Sequence, residues 1–125
     1  METVLIDTNI LIGRIRKEPR AIAALERCSG STLVLCDAIV AEVLAGTRNK
    51  VEFASTRHEL FAQFHVLPLT TEVSRYFRDI VHQLKQGTEI HFADQLIAAM
   101  AMAHGCSLLT LNKKHFIPIK GLKLV

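Results

Sequence analysis

Four oxygen-bearing side chains, Asp7, Glu42, Asp94 and Asn112, come from distant parts of the chain and each stands beside or inside a short apolar run. Glu42 is embedded in Ile39-Val40-Ala41-Glu42-Val43-Leu44-Ala45, and Asp94 in Phe92-Ala93-Asp94-Gln95-Leu96-Ile97-Ala98-Ala99. An ionised carboxylate in such a setting calls for a compensating charge. A divalent cation supplies one, and a set of hard oxygen ligands suits Mg²⁺ or Mn²⁺ rather than zinc. A metal held by several carboxylates activates a water and neutralises charge on a phosphodiester. The chemistry implied is that of a nuclease. Each residue also has a plainer role. Asp7 and Asn112 can form turns, Asp94 can favour the positive end of a helix, Glu42 can occupy a solvated helix edge, and Asp37 reads as a helix cap alone. The nuclease reading rests on their joint placement.

That placement depends on the elements between them. Thr3 to Ile6 reads as a buried strand, followed by a helix from about Asn9. Pro19 suits the first turn of a second helix, about Arg20 to Cys28, closed by Gly30. Leu33 to Cys36 is a second strand, and Asp37 caps a helix that runs to Ala45 and stops at Gly46. Val51 to Phe64 is helical, Val66-Leu67 a short strand, and Thr71 caps a helix to about Gln86 with Gly87 as its stop. A helix from Phe92 to His104 ends at Gly105, and Ser107 to Leu111 and Leu122 to Val125 complete the strands. Short apolar strands alternating with helices predict an α/β fold: a mainly parallel central sheet of about four to five strands with helices on both faces. In such sheets ligands bind at the carboxyl ends of the strands. Asp7 and Asn112 each directly follow a strand, and Glu42 and Asp94 lie on helices able to reach the same edge.

The 125 residues suit one domain, 1–125, with a real core, and half of them are hydrophobic, which excludes a disordered chain. No apolar run approaches a membrane span and no secretory signal is evident, so a cytoplasmic location is expected. Cys28, Cys36 and Cys106 are odd in number and lack C-x-x-C spacing, so they read as small buried hydrophobes rather than a disulfide or zinc framework. Net charge is +3, from 15 Lys and Arg against 12 Asp and Glu. Three carboxylates committed to metal leave a more basic surface that attracts a polyanion. Arg14, Arg16, Lys17 and Arg20 cluster after the first strand–helix unit, Arg48 and Lys50 follow the Glu42 helix, and Lys113-Lys114 follow Asn112; these can guide a phosphate backbone or simply face solvent. With one Tyr and no Trp, a base-stacking platform is not expected.

The same residues carry a family resemblance. Val4-Leu5-Ile6-Asp7-Thr8-Asn9 resembles the opening motif of PIN domains, Ala41-Glu42-Val43-Leu44 the second, Ala93-Asp94-Gln95-Leu96-Ile97-Ala98-Ala99 the third, and Leu109 to Phe116, with Thr110, Asn112 and Phe116 in frame, the fourth. The closing Ile117-Pro118-Ile119-Lys120-Gly121-Leu122 is similar to the tail of VapC-type toxin ribonucleases. The resemblance implies a PIN fold, Mg²⁺ or Mn²⁺ dependence, endoribonuclease activity, a homodimer, and a cognate VapB-like antitoxin whose tail blocks the site. It implies Asp7, Glu42 and Asp94 as metal ligands and water activators, Asn112 as a supporting catalytic residue, and Thr8 and Asn9 as orienting groups. One departure stands out: many relatives have a further acid where Asn112 or His115 stands here, which bears on a second metal position. His115 can touch phosphate or lie on the surface. Two other readings compete. A phosphoacceptor domain needs an acid pair or Asp-x-Asp after the first strand, where this chain has Asp7-Thr8-Asn9. A PIN-like module that binds RNA or a partner without cutting stays open because of the missing acid.

Overall fold

The computed structural model describes residues 2–84 and 90–125. Strand β1 (Thr3–Ile6) is followed by helices α1 (Thr8–Ile15) and α2 (Pro19–Glu26), strand β2 (Thr32–Cys36), helices α3 (Asp37–Ala45) and α4 (Lys50–Gln63), strand β3 (His65–Leu67), helices α5 (Thr71–Gln83) and α6 (Phe92–Ala103), and strand β4 (Ser107–Leu109). A 3-10 turn, η1 (Lys113–His115), follows β4. The four strands form one wholly parallel sheet in the order β3-β2-β1-β4. The expected α/β class is what the chain adopts.

Successive side chains of a strand point to opposite faces, yet Val4, Leu5 and Ile6 are all fully buried. Both faces of the sheet are therefore covered at its centre, which explains the absence of apolar–polar alternation in β1. The strand order also fixes where a crevice opens. The chain lays β2 and β3 on one side of β1 and then returns to place β4 on the other. Beyond the carboxyl ends of β1 and β4 the connections diverge, and this switch point is where open α/β sheets bind ligands.

Several boundaries differ from expectation. α2 begins at Pro19, whose missing N–H costs nothing at a first helical position, and ends at Glu26. Cys36, not Asp37, is the N-cap of α3; Asp37 occupies its exposed first turn. Thr70 rather than Thr71 caps α5, its hydroxyl accepting from the Val73 N–H at 3.2 Å. The expected stop of that helix at Gln86 and Gly87 lies outside the described residues. Strand β4 ends at Leu109 instead of Leu111, because the next backbone N–H groups are taken by side chains: Leu111 N–H donates to Asn9 Oδ1 at 3.0 Å and Asn112 N–H to Thr110 Oγ1 at 3.1 Å. The expected final strand is reduced to one parallel bridge between Leu108 and Leu124. Gly105 (φ 67) ends α6 in the left-handed conformation that favours glycine. The three cysteines are free and buried, as expected.

Candidate active site

Asp7 leaves the end of β1 and caps α1, so its carboxylate hangs over the switch point while it starts the helix. It is almost completely buried. Oδ1 accepts from the Thr8 N–H at 2.8 Å; Oδ2 accepts from the Thr110 hydroxyl at 2.7 Å and from Asn9 Nδ2 at 3.1 Å. Asn9 Nδ2 also donates to Thr110 Oγ1 at 3.2 Å. Asn9 and Thr110 thus join the ends of β1 and β4 around one carboxylate. Burial raises the pKa of Asp7 above its ordinary 3.8; the hydrogen bonds from Thr110 and Thr8 oppose the rise, and the charge on Asp94 adds to it.

Glu42 reaches the same place from α3, where its Oε1 accepts from the Thr8 hydroxyl at 3.1 Å. Its apolar sequence context suggests burial, but α3 turns Ala41, Glu42 and Ala45 outward and Ile39, Val40 and Val43 inward. Glu42 therefore stands at the mouth of the crevice. Partial desolvation of its carboxyl still raises its pKa, helped by repulsion from Asp7 and Asp94. Asp94 lies in the first turn of α6, where the helix dipole favours a negative charge, and its Oδ2 is 3.4 Å from His115 Nδ1.

These residues line one open cleft of about 470 Å³. Asp7, Glu42 and Asp94 come together there with Thr8, Asn9 and Asn112, as expected. The donors are all oxygens; burial first, and repulsion from neighbouring carboxylates after it, raise Asp7 and Glu42, and a cation relieves both. The carboxylates are nevertheless not drawn into a finished cage: among the described residues no three His, Cys, Asp or Glu side chains are grouped closely enough to hold an ion as they stand.

A model of the PIN domain family matches residues 4–120. The chain belongs to the PIN domain family. Its relatives include Ribonuclease VapC1 of Rickettsia felis, 32% identical over 126 residues that span 98% of this chain and 94% of the relative. Ribonuclease VapC19 of Mycobacterium tuberculosis is 33% identical over 116 residues, 90% of each chain. Among solved structures, VapBC-1 from nontypeable Haemophilus influenzae matches with a TM-score of 0.86 at 26% identity, covering 98% of this chain and 96% of that one. VapBC2 from Rickettsia felis, bound to a DNA fragment from its promoter, matches with a TM-score of 0.84 at 25% identity over 98% and 97%.

The basic residues of this PIN domain divide between surfaces. Arg16 and Arg20 line the carboxylate cleft. Arg14 does not: it faces a groove with Ile15, Leu60 and Phe64 between α1 and α4, because a residue two positions from Arg16 projects from a different side of the helix. Lys17 also misses the cleft; it occupies the turn after α1 with a left-handed φ of 58°. Arg48 and Lys50 belong to a separate surface with Phe53. Lys113 and Lys114 line an adjoining cleft together with Arg20 and Arg27. Sequence reasoning also passed over Glu18 and His91, which line the carboxylate cleft. Neither carries a local motif; α1 and α2 fold back to bring Glu18 in, and His91 arrives as the N-cap of α6. Thr110 stands in frame in the fourth motif, but its role as the latch on Asp7 appears only in the structure.

Proposed function

We propose that this PIN domain is an endoribonuclease that hydrolyses RNA phosphodiester bonds with Mg²⁺ or Mn²⁺, and that it is the toxin half of a toxin–antitoxin pair. The observation that carries the reading is the convergence of Asp7, Glu42 and Asp94, from three separated stretches of chain, on one cleft at the switch point of the sheet. The names of the ribonuclease relatives support the activity, and the VapBC structures support a VapB-like antitoxin as partner.

In this reading Asp7, Glu42 and Asp94 hold the ion and Asn112 supports the site from the edge. The bound ion would supply positive charge toward the phosphodiester and acidify a water. The chain's own groups do the positioning. Asn9, Thr110 and the Thr8 N–H fix both oxygens of Asp7, so it presents one orientation to the cleft. The Thr8 hydroxyl steadies Glu42, and His115 flanks Asp94. Arg16 and Arg20 lie where they can pair with substrate phosphate. Assembly into a homodimer belongs to the same reading. It is supported by an apolar surface on α5 and α6, where exposed Phe92 packs edge-on against Phe77, one helical turn from exposed Val81.

The test is incubation of antitoxin-free protein with a broad pool of structured RNAs in Mg²⁺, Mn²⁺ or EDTA, with Asp94→Asn in parallel. Discrete products that need the cation and disappear in the variant are expected. A second reading, a module that binds RNA or a partner without cutting, is favoured by Asn112, whose amide lines the cleft where a further acid would add negative charge. A folded protein that retains RNA and cuts none of it in either cation would establish that reading instead.

A further inference from the structure

A second cleft of about 650 Å³ adjoins the first and is lined by Arg20, Arg27, Lys113 and Lys114, with no carboxylate in its wall. Among the described residues none of these four cations forms an ion pair. The two clefts share Arg20, Leu111, Asn112 and His115, so one opens into the other. Arg20 in α2 and Arg27, the C-cap of that helix, are seven residues apart on one face, about 10 Å along the axis. Lys113 and Lys114 face them from η1. The cations therefore line a trough longer than a single phosphate.

We propose that this trough is the lane that holds the RNA backbone as it leaves the carboxylate cleft, an inference that rests on the ribonuclease reading above. The charge distribution favours such a lane. The carboxylate cleft sets Asp7, Glu18, Glu42 and Asp94 against Arg16 and Arg20, an excess of negative charge when no cation is bound. Arg16 and Arg20 offset part of that charge inside the cleft, and the flanking wall beyond them carries only positive charge. Guanidinium groups pair with phosphate in a bidentate fork and lysines act as point charges. No Phe or Tyr lines the trough and His115 is its one ring, so it offers no row of aromatic platforms for successive bases. The lane grips backbone and is indifferent to sequence; whatever selects the cleavage site acts elsewhere.

The experiment measures binding of labelled single-stranded RNA oligonucleotides of unrelated sequence to the full chain in EDTA, across a series of salt concentrations. Wild type is expected to bind without metal, with affinity falling steeply as salt rises. The double substitution Arg27→Ala with Lys114→Ala is expected to weaken every oligonucleotide alike. It should also flatten the slope of log affinity against log salt by about 1.4, at about 0.7 per lost phosphate contact. Arg27→Lys with Lys114→Arg should restore the slope, and Arg75→Ala, on α5, should leave it unchanged; circular dichroism checks that each variant is folded. An unchanged slope in the folded double variant overturns the lane, as does loss of antitoxin binding with RNA binding intact. Cleavage in Mn²⁺ separates the two readings. RNA held in the lane but never cut refutes the ribonuclease and leaves the lane standing. Cleavage with an unaltered KM in the double variant keeps the ribonuclease and removes the lane.

Discussion

Asp7 serves two ends at once: it starts a helix and it presents a charge that burial makes costly. The Thr110 hydroxyl is what keeps that arrangement tolerable, since it bonds Asp7 Oδ2 and also receives Asn9 Nδ2 and the Asn112 N–H. Thr110→Val keeps the shape and removes all three. Hydrogen bonds to a charged group contribute about 1.5–3 kcal/mol, so urea unfolding should report a loss near that range. Because the Thr110 bond holds the Asp7 pKa down, the acidic limb of the pH–activity profile should move to higher pH in the variant. A variant as stable as wild type with an unmoved profile would show that Asp7 does not depend on this latch. Glu42 offers a cleaner charge test. Glu42→Gln keeps an acceptor for the Thr8 hydroxyl and removes repulsion from Asp7 and Asp94. The folded-state pKa of Glu42 is raised above 4.5. Its contribution to stability is thus fully present below the unfolded value and is lost as pH rises through the folded one. The metal-free variant should equal wild type in acid and match or slightly exceed it at neutral pH, by no more than about 0.5 kcal/mol at this exposed position. Thermal melts across pH check this; a variant that loses stability with rising pH relative to wild type contradicts the electrostatic account. At this scale the acids were legible from their types and their neighbours. The burial of Glu42 was not, because apolar residues on all sides in sequence do not say which way a short helix is turned.

Helices α1 and α2 build the wall that carries Arg16, Glu18 and Arg20 into the cleft. Their close approach depends on Gly13, where an added Cβ would stand 2.5 Å from the Cβ of Ala21. Gly13→Ala should cost about 1–3 kcal/mol by overpacking, despite the better helix propensity of alanine. Gly30→Ala, which meets nothing within 4 Å, is the matched control. Equal denaturation midpoints for the two would mean that α1 and α2 separate freely. Strand and helix order could be read from the alternation of short apolar runs with helical patterns, and Gly105 and Gly46 end their helices as expected. Boundaries were harder where a side chain competes for a backbone group. β4 is cut short by Asn9 and Thr110, residues about a hundred positions apart, and no local pattern announces such a pairing. The return of α2 against α1 is equally non-local, which is why Glu18 and Arg27 escaped notice while Arg16 and Lys113 did not.

Over the whole molecule, one topological fact organises the chemistry. The strand order β3-β2-β1-β4 puts the reversal of direction between β1 and β4. Asp7 and Thr110 follow those two strands, and α3 and α6 carry Glu42 and Asp94 to the same edge. The central claim is that this edge is a single cation site built from three separated carboxylates. Diffraction from crystals soaked in Mn²⁺, recorded so that manganese scatters anomalously, tests it directly. The expected result is an anomalous peak in the cleft within coordination distance of Asp7 and Asp94, with Glu42 contributing directly or through water, and no such peak in Asp94→Asn. Ordered crystals that bind Mn²⁺ only elsewhere, or a peak in the cleft that persists unchanged in Asp94→Asn, would contradict the account.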